Sequence, residues 1–210
     1  QFLIAKSQEI FGENLFAAYL PTTISSIVML IITYKLHEEL IGKKFAIASP
    51  LILSTTFLWF DYSHLATQDL IYSCLVTIGI FSIVKTNSKK ELVYISLFGI
   101  WIGLAFMMKT FLVAIPIISL LPYLIKKKFI FTSKYFWLGL IIGFTPFILW
   151  TTSINTFLDK NIIFHLLDKF NNLSIENTFT NPFYYYLWNI PVTFLPWSIF
   201  SIIGLVHGLK

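Results

Sequence analysis

The chain has 210 residues, 57% of them hydrophobic and 12% charged, and carries a net charge of +5 with no arginine. A soluble domain holds about 25% charged residues and a disordered chain needs low hydrophobicity, so both are excluded. What remains is a polytopic membrane protein, and at roughly 20 apolar residues per span about seven helices fit.

Seven apolar stretches follow in order: Leu15–Tyr34, Phe45–Phe60, Asp69–Val84, Glu91–Met108, Phe111–Ile125, Tyr135–Thr152 and Tyr184–Val206. The fold class expected is all-α, a single transmembrane domain. Residues 1–14 form an outer juxtamembrane segment and 15–152 a six-helix bundle. Residues 153–183 form an outer loop, and 184–206 the seventh span. Pro50, Pro116, Pro122, Pro146, Pro191 and Pro196 fall within or near these stretches, which membrane helices tolerate. Within the outer loop, Phe157–Phe170 reads as an amphipathic interfacial helix, with Asn161, His165, Asp168 and Asn172 along one polar stripe. Cys74 is the only cysteine and sits in an apolar stretch, so it reads as packing.

The lysines orient the helices. Lys35, Lys43, Lys44, Lys85, Lys89, Lys90, Lys126, Lys127, Lys128, Lys134 and Lys210 fall in one set of alternate loops. Lys6, Lys109, Lys160 and Lys169 fall in the other. The positive-inside rule places the richer set in the cytoplasm. The basic runs are short and sit between spans, so the charge reflects topology and not nucleic-acid binding. The chain starts with Gln1, without a signal-peptide pattern. An outer N-terminus with an odd helix count predicts one further span upstream, and the sequence reads as a fragment.

The outer face concentrates the candidates. Asp61, His64 and Asp69 share the stretch Asp-Tyr-Ser-His-Leu-Ala-Thr-Gln-Asp. Carboxylates this close to hydrocarbon are costly and often functional. Asp69 reads equally as a cap of the next helix, a job open to Thr67 as well. Asp61 and His64 have metal-ligand spacing, but two residues do not make a site. Lys109 interrupts the longest apolar run. At the membrane centre it would cost roughly 2.5–3.5 kcal/mol, so it belongs at the outer boundary, snorkelling to water or holding a lipid phosphate. In the outer loop His165 and Lys169 are possible substrate contacts. Tyr184 to Trp188 suit an interfacial belt. Flat aromatic faces also suit sugars and isoprenoid chains, which makes Tyr185 a candidate contact.

Four stretches carry a family resemblance. Phe11-Gly-Glu-Asn-Leu-Phe-Ala-Ala-Tyr-Leu-Pro21, His64-Leu-Ala-Thr-Gln-Asp69, Gly103-Leu-Ala-Phe-Met-Met-Lys109, and Pro182-Phe-Tyr-Tyr-Tyr186 with Leu195-Pro-Trp197 occur in this order. Their order and spacing resemble the polyprenyl-phosphate-sugar-dependent membrane glycosyltransferases of the GT-C fold. The nearest branch is the lipid A aminoarabinose transferases within the protein O-mannosyltransferase superfamily. The resemblance implies inverting transfer of a sugar from a polyprenyl-phosphate donor to a hydroxyl of a lipid, glycan or protein acceptor. The active site would face outward from the bacterial inner membrane. It implies Asp69 as a site carboxylate and Lys109 as a phosphate contact, with His64, His165, Lys169 and Tyr185 as further substrate contacts. No cofactor is certain, and a divalent metal is possible.

The departures are specific. The family's principal catalytic acid would precede Gln1, so the fragment is expected to be inactive alone. Tyr19 stands where relatives often have Arg, and Thr110 follows Lys109 where Gly is usual. His165 is followed by Lys169-Phe170 where relatives often have Arg-Phe. The usual C-terminal helices and any soluble domain are absent. The rival class is a transporter or flippase, which would favour repeats and charges at the midplane. A purely structural membrane subunit is a third.

Overall fold

The computed structural model describes residues 2–87, 92–158, 164, 168 and 182–208. The fold is all-α, with no strand among the described residues. The chain divides into two compact units, residues 1–144 and 145–210.

The first unit opens with α1 (Phe2–Phe11) and α2 (Leu15–Leu40). Gly12 makes the turn between them with a φ of 84°, a conformation glycine adopts without steric cost. Asn14 caps α2: its Oδ1 accepts from Ala17 N–H at 2.8 Å. Along α2 the small residues Ala17, Thr22 and Ser26 are buried, while Ile24, Ile27 and Ile31 are exposed. That distribution suits a helix that meets protein through small side chains and lipid through large ones. Hydroxyls bond within the helix, Ser25 to Pro21 O and Ser26 to Thr22 O.

The second apolar stretch departs from one continuous helix. After a short 3₁₀ turn (Lys43–Phe45) come α3 (Ala48–Ser54) and α4 (Phe57–Ser63), bent by 66°. The break has a local cause. Thr55 Oγ1 bonds back to Leu51 O and Ile52 O, and Thr56 Oγ1 to Leu53 O. Thr56 then accepts from Trp59 N–H at 3.3 Å and starts α4 as its N-cap. Such hydroxyls offer the backbone an alternative to the helical ladder.

Next, α5 (Gln68–Lys85) and α6 (Leu92–Lys109) run antiparallel. Phe81 meets Tyr94 edge-on near their junction, and Gly79 lies beneath the Trp101 ring. The chain continues through a 3₁₀ turn (Thr110–Val113) into α7 (Ala114–Ser119), α8 (Leu121–Lys126) and α9 (Phe129–Thr132). This segment returns along α5: Leu112 meets Tyr72, Pro116 and Leu120 line one groove with Val76 and Ile80, and Lys127 reaches Ile83. The expected reversal at Lys109 is present, although the Phe111–Ile125 stretch is two short helices interrupted around Leu120.

Then α10 (Lys134–Leu158) packs on α6 through glycines. A Cβ on Gly139 would lie 2.2 Å from Ser96 O, and one on Gly143 2.5 Å from Ile100 O. On the facing helix, a Cβ on Gly99 would lie 2.4 Å from Phe136 O. Gly99-x-x-x-Gly103 and Gly139-x-x-x-Gly143 are thus paired small-residue motifs, which let two membrane helices approach closely. Ile83, Ile95, Phe98, Trp101, Val113, Leu124, Ile130 and Phe136 form the core among these elements.

The lysine-rich end is well anchored. Lys85 pairs with Glu39 at 2.5 Å. Lys127 donates to Ile83 O, Val84 O and Thr86 O at 2.8, 3.2 and 2.5 Å, satisfying carbonyls that the C-terminus of α5 leaves open. Lys127 therefore does more than anchor at the headgroups.

The second unit contains the remainder of α10, then α11 (Phe183–Thr193) and α12 (Trp197–Gly208). Tyr184–Val206 was expected as one span. The helices within it are bent by 113°, because Pro196 lacks an N–H and disfavours helical backbone at Leu195. Most of the expected interfacial helix Phe157–Phe170, including His165 and Lys169, lies outside the described residues.

Among the described residues four helical runs are long and apolar enough to cross a membrane: Leu15–Leu40, Gln68–Lys85, Leu92–Ser119 and Lys134–Ile154. Counting each bent pair as one span gives up to six among the described residues. Leu92–Ser119 contains the Lys109 reversal, so α6 alone is its straight portion.

The glycine contacts set a test. Gly139→Leu should destabilise the detergent-solubilised protein by about 1–3 kcal/mol through overpacking. Gly204→Leu, where an added Cβ meets nothing within 4 Å, should change stability by no more than about 0.5 kcal/mol. Thermal unfolding of the two variants measures the contrast.

Candidate functional site

The end of the bundle opposite Lys85 and Lys127 is built from the start of α5 and the end of α6. After α4, His64 caps that helix, and Thr67 N–H bonds to Leu65 O at 2.8 Å. Thr67 is the N-cap of α5, in extended backbone. Its side chain makes no capping bond, and its Oγ1 is buried without a partner among the described residues. Asp69 sits in the first turn of α5. There the partial positive charge of the helix N-terminus favours a carboxylate. Asp69 is therefore beside the cap and not the cap itself.

Lys109 ends α6, and Thr110 follows with a φ of 47°. That is left-handed backbone, uncommon for a β-branched residue. It turns the chain over the top of α5, where Tyr72 Oη donates to Leu112 O at 3.3 Å. The turn brings together two charges forty positions apart in sequence. Lys109 Nζ donates to Asp69 Oδ1 at 2.6 Å, with Asp69 half exposed and Lys109 more sheltered.

Beside the first turns of α5 lies a groove of about 430 Å³. Met29, Tyr72, Val76, Ile80, Ile115 and Pro116 are among its lining residues. Its wall is largely apolar, because Ser73, Thr77 and Ser119 direct their hydroxyls to carbonyls four residues back. An ion pair thus stands at one end of α5, and a largely apolar groove runs along the turns that follow it, from Tyr72 to Ile80.

Of the seven candidates, the structure brings together Asp69 and Lys109. His64 is exposed and stacks edge-on against Phe60, with ring centroids 5.4 Å apart. It has no bond to Asp69 or Lys109 among the described residues. Asp61 is an exposed residue of α4. Tyr185 lies exposed on α11 in the second unit. His165 and Lys169 lie outside the described residues. Among the described residues no three His, Cys, Asp or Glu side chains converge on a metal position. Tyr72 is the residue that sequence reading missed. Its signal was its place one helical turn after Asp69, on the same face.

The described residues form an all-helical membrane fold with a carboxylate and a lysine paired at one end of the bundle. The family comparison gives this class a name. Residues 1–151 match the model described as dolichyl-phosphate-mannose-protein mannosyltransferase, and the chain belongs to that family of membrane glycosyltransferases.

The chain is also similar to several undecaprenyl phosphate-alpha-4-amino-4-deoxy-L-arabinose arabinosyl transferases. It is 31% identical to the one from Pseudomonas savastanoi pv. phaseolicola over 60% of the chain and 25% of that protein. To the one from Edwardsiella ictaluri it is 27% identical, over 96% of the chain and 37% of that protein. A second form from Pseudomonas fluorescens is 24% identical over 94% of the chain and 35% of that protein. The chain thus spans about a quarter to just over a third of these relatives. No solved structure matches it. The family match includes three of the four motif stretches, and the longer alignments extend over nearly the whole chain.

The left-handed turn at Thr110 occupies the place where the family resemblance expects glycine, and the observed φ supplies the reason. Thr110→Gly should raise stability by about 0.5–1 kcal/mol, since relief of left-handed strain outweighs the added unfolded-state freedom. Thermal unfolding of the variant checks this, and a fall in stability would refute the strain.

Proposed function

We propose that this segment forms part of the catalytic centre of a polyprenyl-phosphate-sugar glycosyltransferase, with the Asp69–Lys109 end facing outward from the membrane. The single observation that carries the reading is the 2.6 Å contact between Asp69 and Lys109. Both residues end a family-like motif. Both lie at the end of the bundle away from the Lys85–Glu39 pair and Lys127. The names of the relatives support an undecaprenyl phosphate-linked amino sugar as donor. The acceptor is a hydroxyl on lipid A, another lipid or glycan, or a protein.

Chemistry follows from charge. A carboxylate accepts the proton of the acceptor hydroxyl as that oxygen bonds to the anomeric carbon of the sugar. The carbon–oxygen bond to the carrier phosphate breaks, and its electron pair leaves with the phosphate. Attack from the face opposite the leaving group inverts the anomeric centre. Asp69 serves as a carboxylate of this site, and the Lys109 ammonium stands by the charge gathering on the departing phosphate. Lysine offers a point charge, not a guanidinium fork. The groove along α5 fits the hydrocarbon chain of the carrier. Holding carrier and acceptor at one helix end supplies the orientation that transfer requires.

In the intact protein that contains this segment, Asp69→Asn is expected to lower transfer from undecaprenyl phosphate-linked aminoarabinose to lipid A by about 10²-fold or more. The assay uses reconstituted vesicles, with thermal unfolding to confirm an intact fold. Wild-type transfer by that variant would remove Asp69 from the site. Orientation is tested separately. A cysteine replacing His64, in a Cys74→Ser background, should react with an impermeant maleimide added outside intact spheroplasts. A cysteine replacing Lys128 should react only after permeabilisation.

A further inference from the structure

We infer that the Asp69–Lys109 ion pair is a resting contact that the donor's phosphate displaces, so that donor binding releases the Asp69 carboxylate for the acceptor. The inference rests on the proposed role of Lys109 as a phosphate contact and adds what becomes of its present partner.

Three features of the pair argue for exchange. The contact engages one carboxylate oxygen, Oδ1, at a charge-assisted hydrogen-bond distance. The oxygen that holds the ammonium gives up part of its accepting capacity to it. Next, a phosphate drawn to Lys109 would sit beside the Asp69 carboxylate, placing two anions on one cation. Like charges this close repel, more strongly at a protein surface than in bulk water. The phosphate therefore weakens the Asp69 contact as it binds. Finally, Asp69 is 50% exposed, so its carboxylate can turn into water with little desolvation to overcome. An ion pair with a half-exposed carboxylate is weakly held, and a phosphate offers the ammonium more acceptor oxygens than one carboxylate does.

The fold prepares both partners for separation. Asp69 lies in the first turn of an 18-residue helix, whose N-terminal dipole continues to favour its charge after Lys109 leaves. Lys109 sits at the left-handed turn into Thr110, and the Tyr72–Leu112 bond holds that turn against α5. The exchange then needs only side-chain rotation at a fixed backbone. It also imposes an order, since the carboxylate becomes available when the leaving group is in place.

Binding of sugar-free undecaprenyl monophosphate to the intact protein in nanodiscs tests the exchange. Asp69→Asn should tighten binding by about two- to five-fold, by removing the competitor. Asp69→Glu should restore the wild-type value. Lys109→Met should weaken binding by about ten-fold or more. If Lys109→Met weakens binding while Asp69→Asn leaves it unchanged or weakens it, the lysine contacts phosphate but the exchange is wrong. If Lys109→Met leaves binding unchanged, the phosphate role of Lys109 fails and the exchange fails with it. The unsubstituted protein provides a measurement independent of any variant's folding. A zero-length carbodiimide should couple Asp69 to Lys109, read as a cross-linked peptide by mass spectrometry. Saturating undecaprenyl monophosphate should suppress that product, and an undiminished yield would overturn the proposal.

Discussion

Because hydrocarbon offers no water to a charge or an open peptide group, such groups are driven toward a partner in the protein or toward an interface. The fold is organised by that demand. Serine and threonine hydroxyls along the spans bond to carbonyls of their own helices, as at Ser26, Ser73, Thr77 and Ser96. Lys127 turns inward to take the last carbonyls of α5. Lys85 meets Glu39, and Lys109 meets Asp69. Charges therefore collect at the two ends of α5, a helix of about 27 Å at 1.5 Å per residue, close to the thickness of the hydrocarbon layer.

The two ends serve different purposes. At the lysine-rich end, Lys127 spends its donors on the backbone and ties α5 to the segment before α9. At the other end, Asp69 and Lys109 are joined only through side chains and keep access to water. The distance between these ends is maintained by close helix contact. Trp101 covers Gly79, and the Gly99–Gly103 ridge meets Gly139–Gly143 with no room for a side chain. The proposed site, with a lipid phosphate and an acceptor held together, needs such a rigid frame, because small displacements of reacting groups cost much of the orientation advantage.

The membership of a mannosyltransferase family and the likeness to aminoarabinose transferases agree with this arrangement. Sugar carriers on polyprenyl chains present an anionic head and a long hydrocarbon tail. In the proposed function Lys109 meets that anionic head and the groove along α5 takes the tail. One departure from the family pattern falls beside Lys109 itself. The sequence contains no arginine, so the phosphate contact proposed for this segment falls to lysine. Threonine in a glycine-favouring conformation follows that lysine.

Much of this was legible in the amino-acid order. Hydropathy placed α2, α5, α6 and α10 within a few residues, the lysine pattern separated two ends, and Asp69 and Lys109 each stood out as charges where hydrocarbon begins. The breaks at Thr55–Thr56 and Phe194–Pro196 were less visible. Average hydropathy does not register a hydroxyl that bonds back to a carbonyl, or a ring that lacks an N–H. The facing glycine ridges of α6 and α10 were written in the sequence, but their partner was not. Composition and periodicity alone determined that the chain crosses a membrane and that its charges lie at helix ends, since the solvent dictates both. Only the tertiary structure decided that Lys109 meets Asp69 and not His64 or Asp61. That choice depends on the rotation and depth at which α6 packs on α5, which the Gly79–Trp101 contact and the left-handed turn at Thr110 set across forty residues of chain.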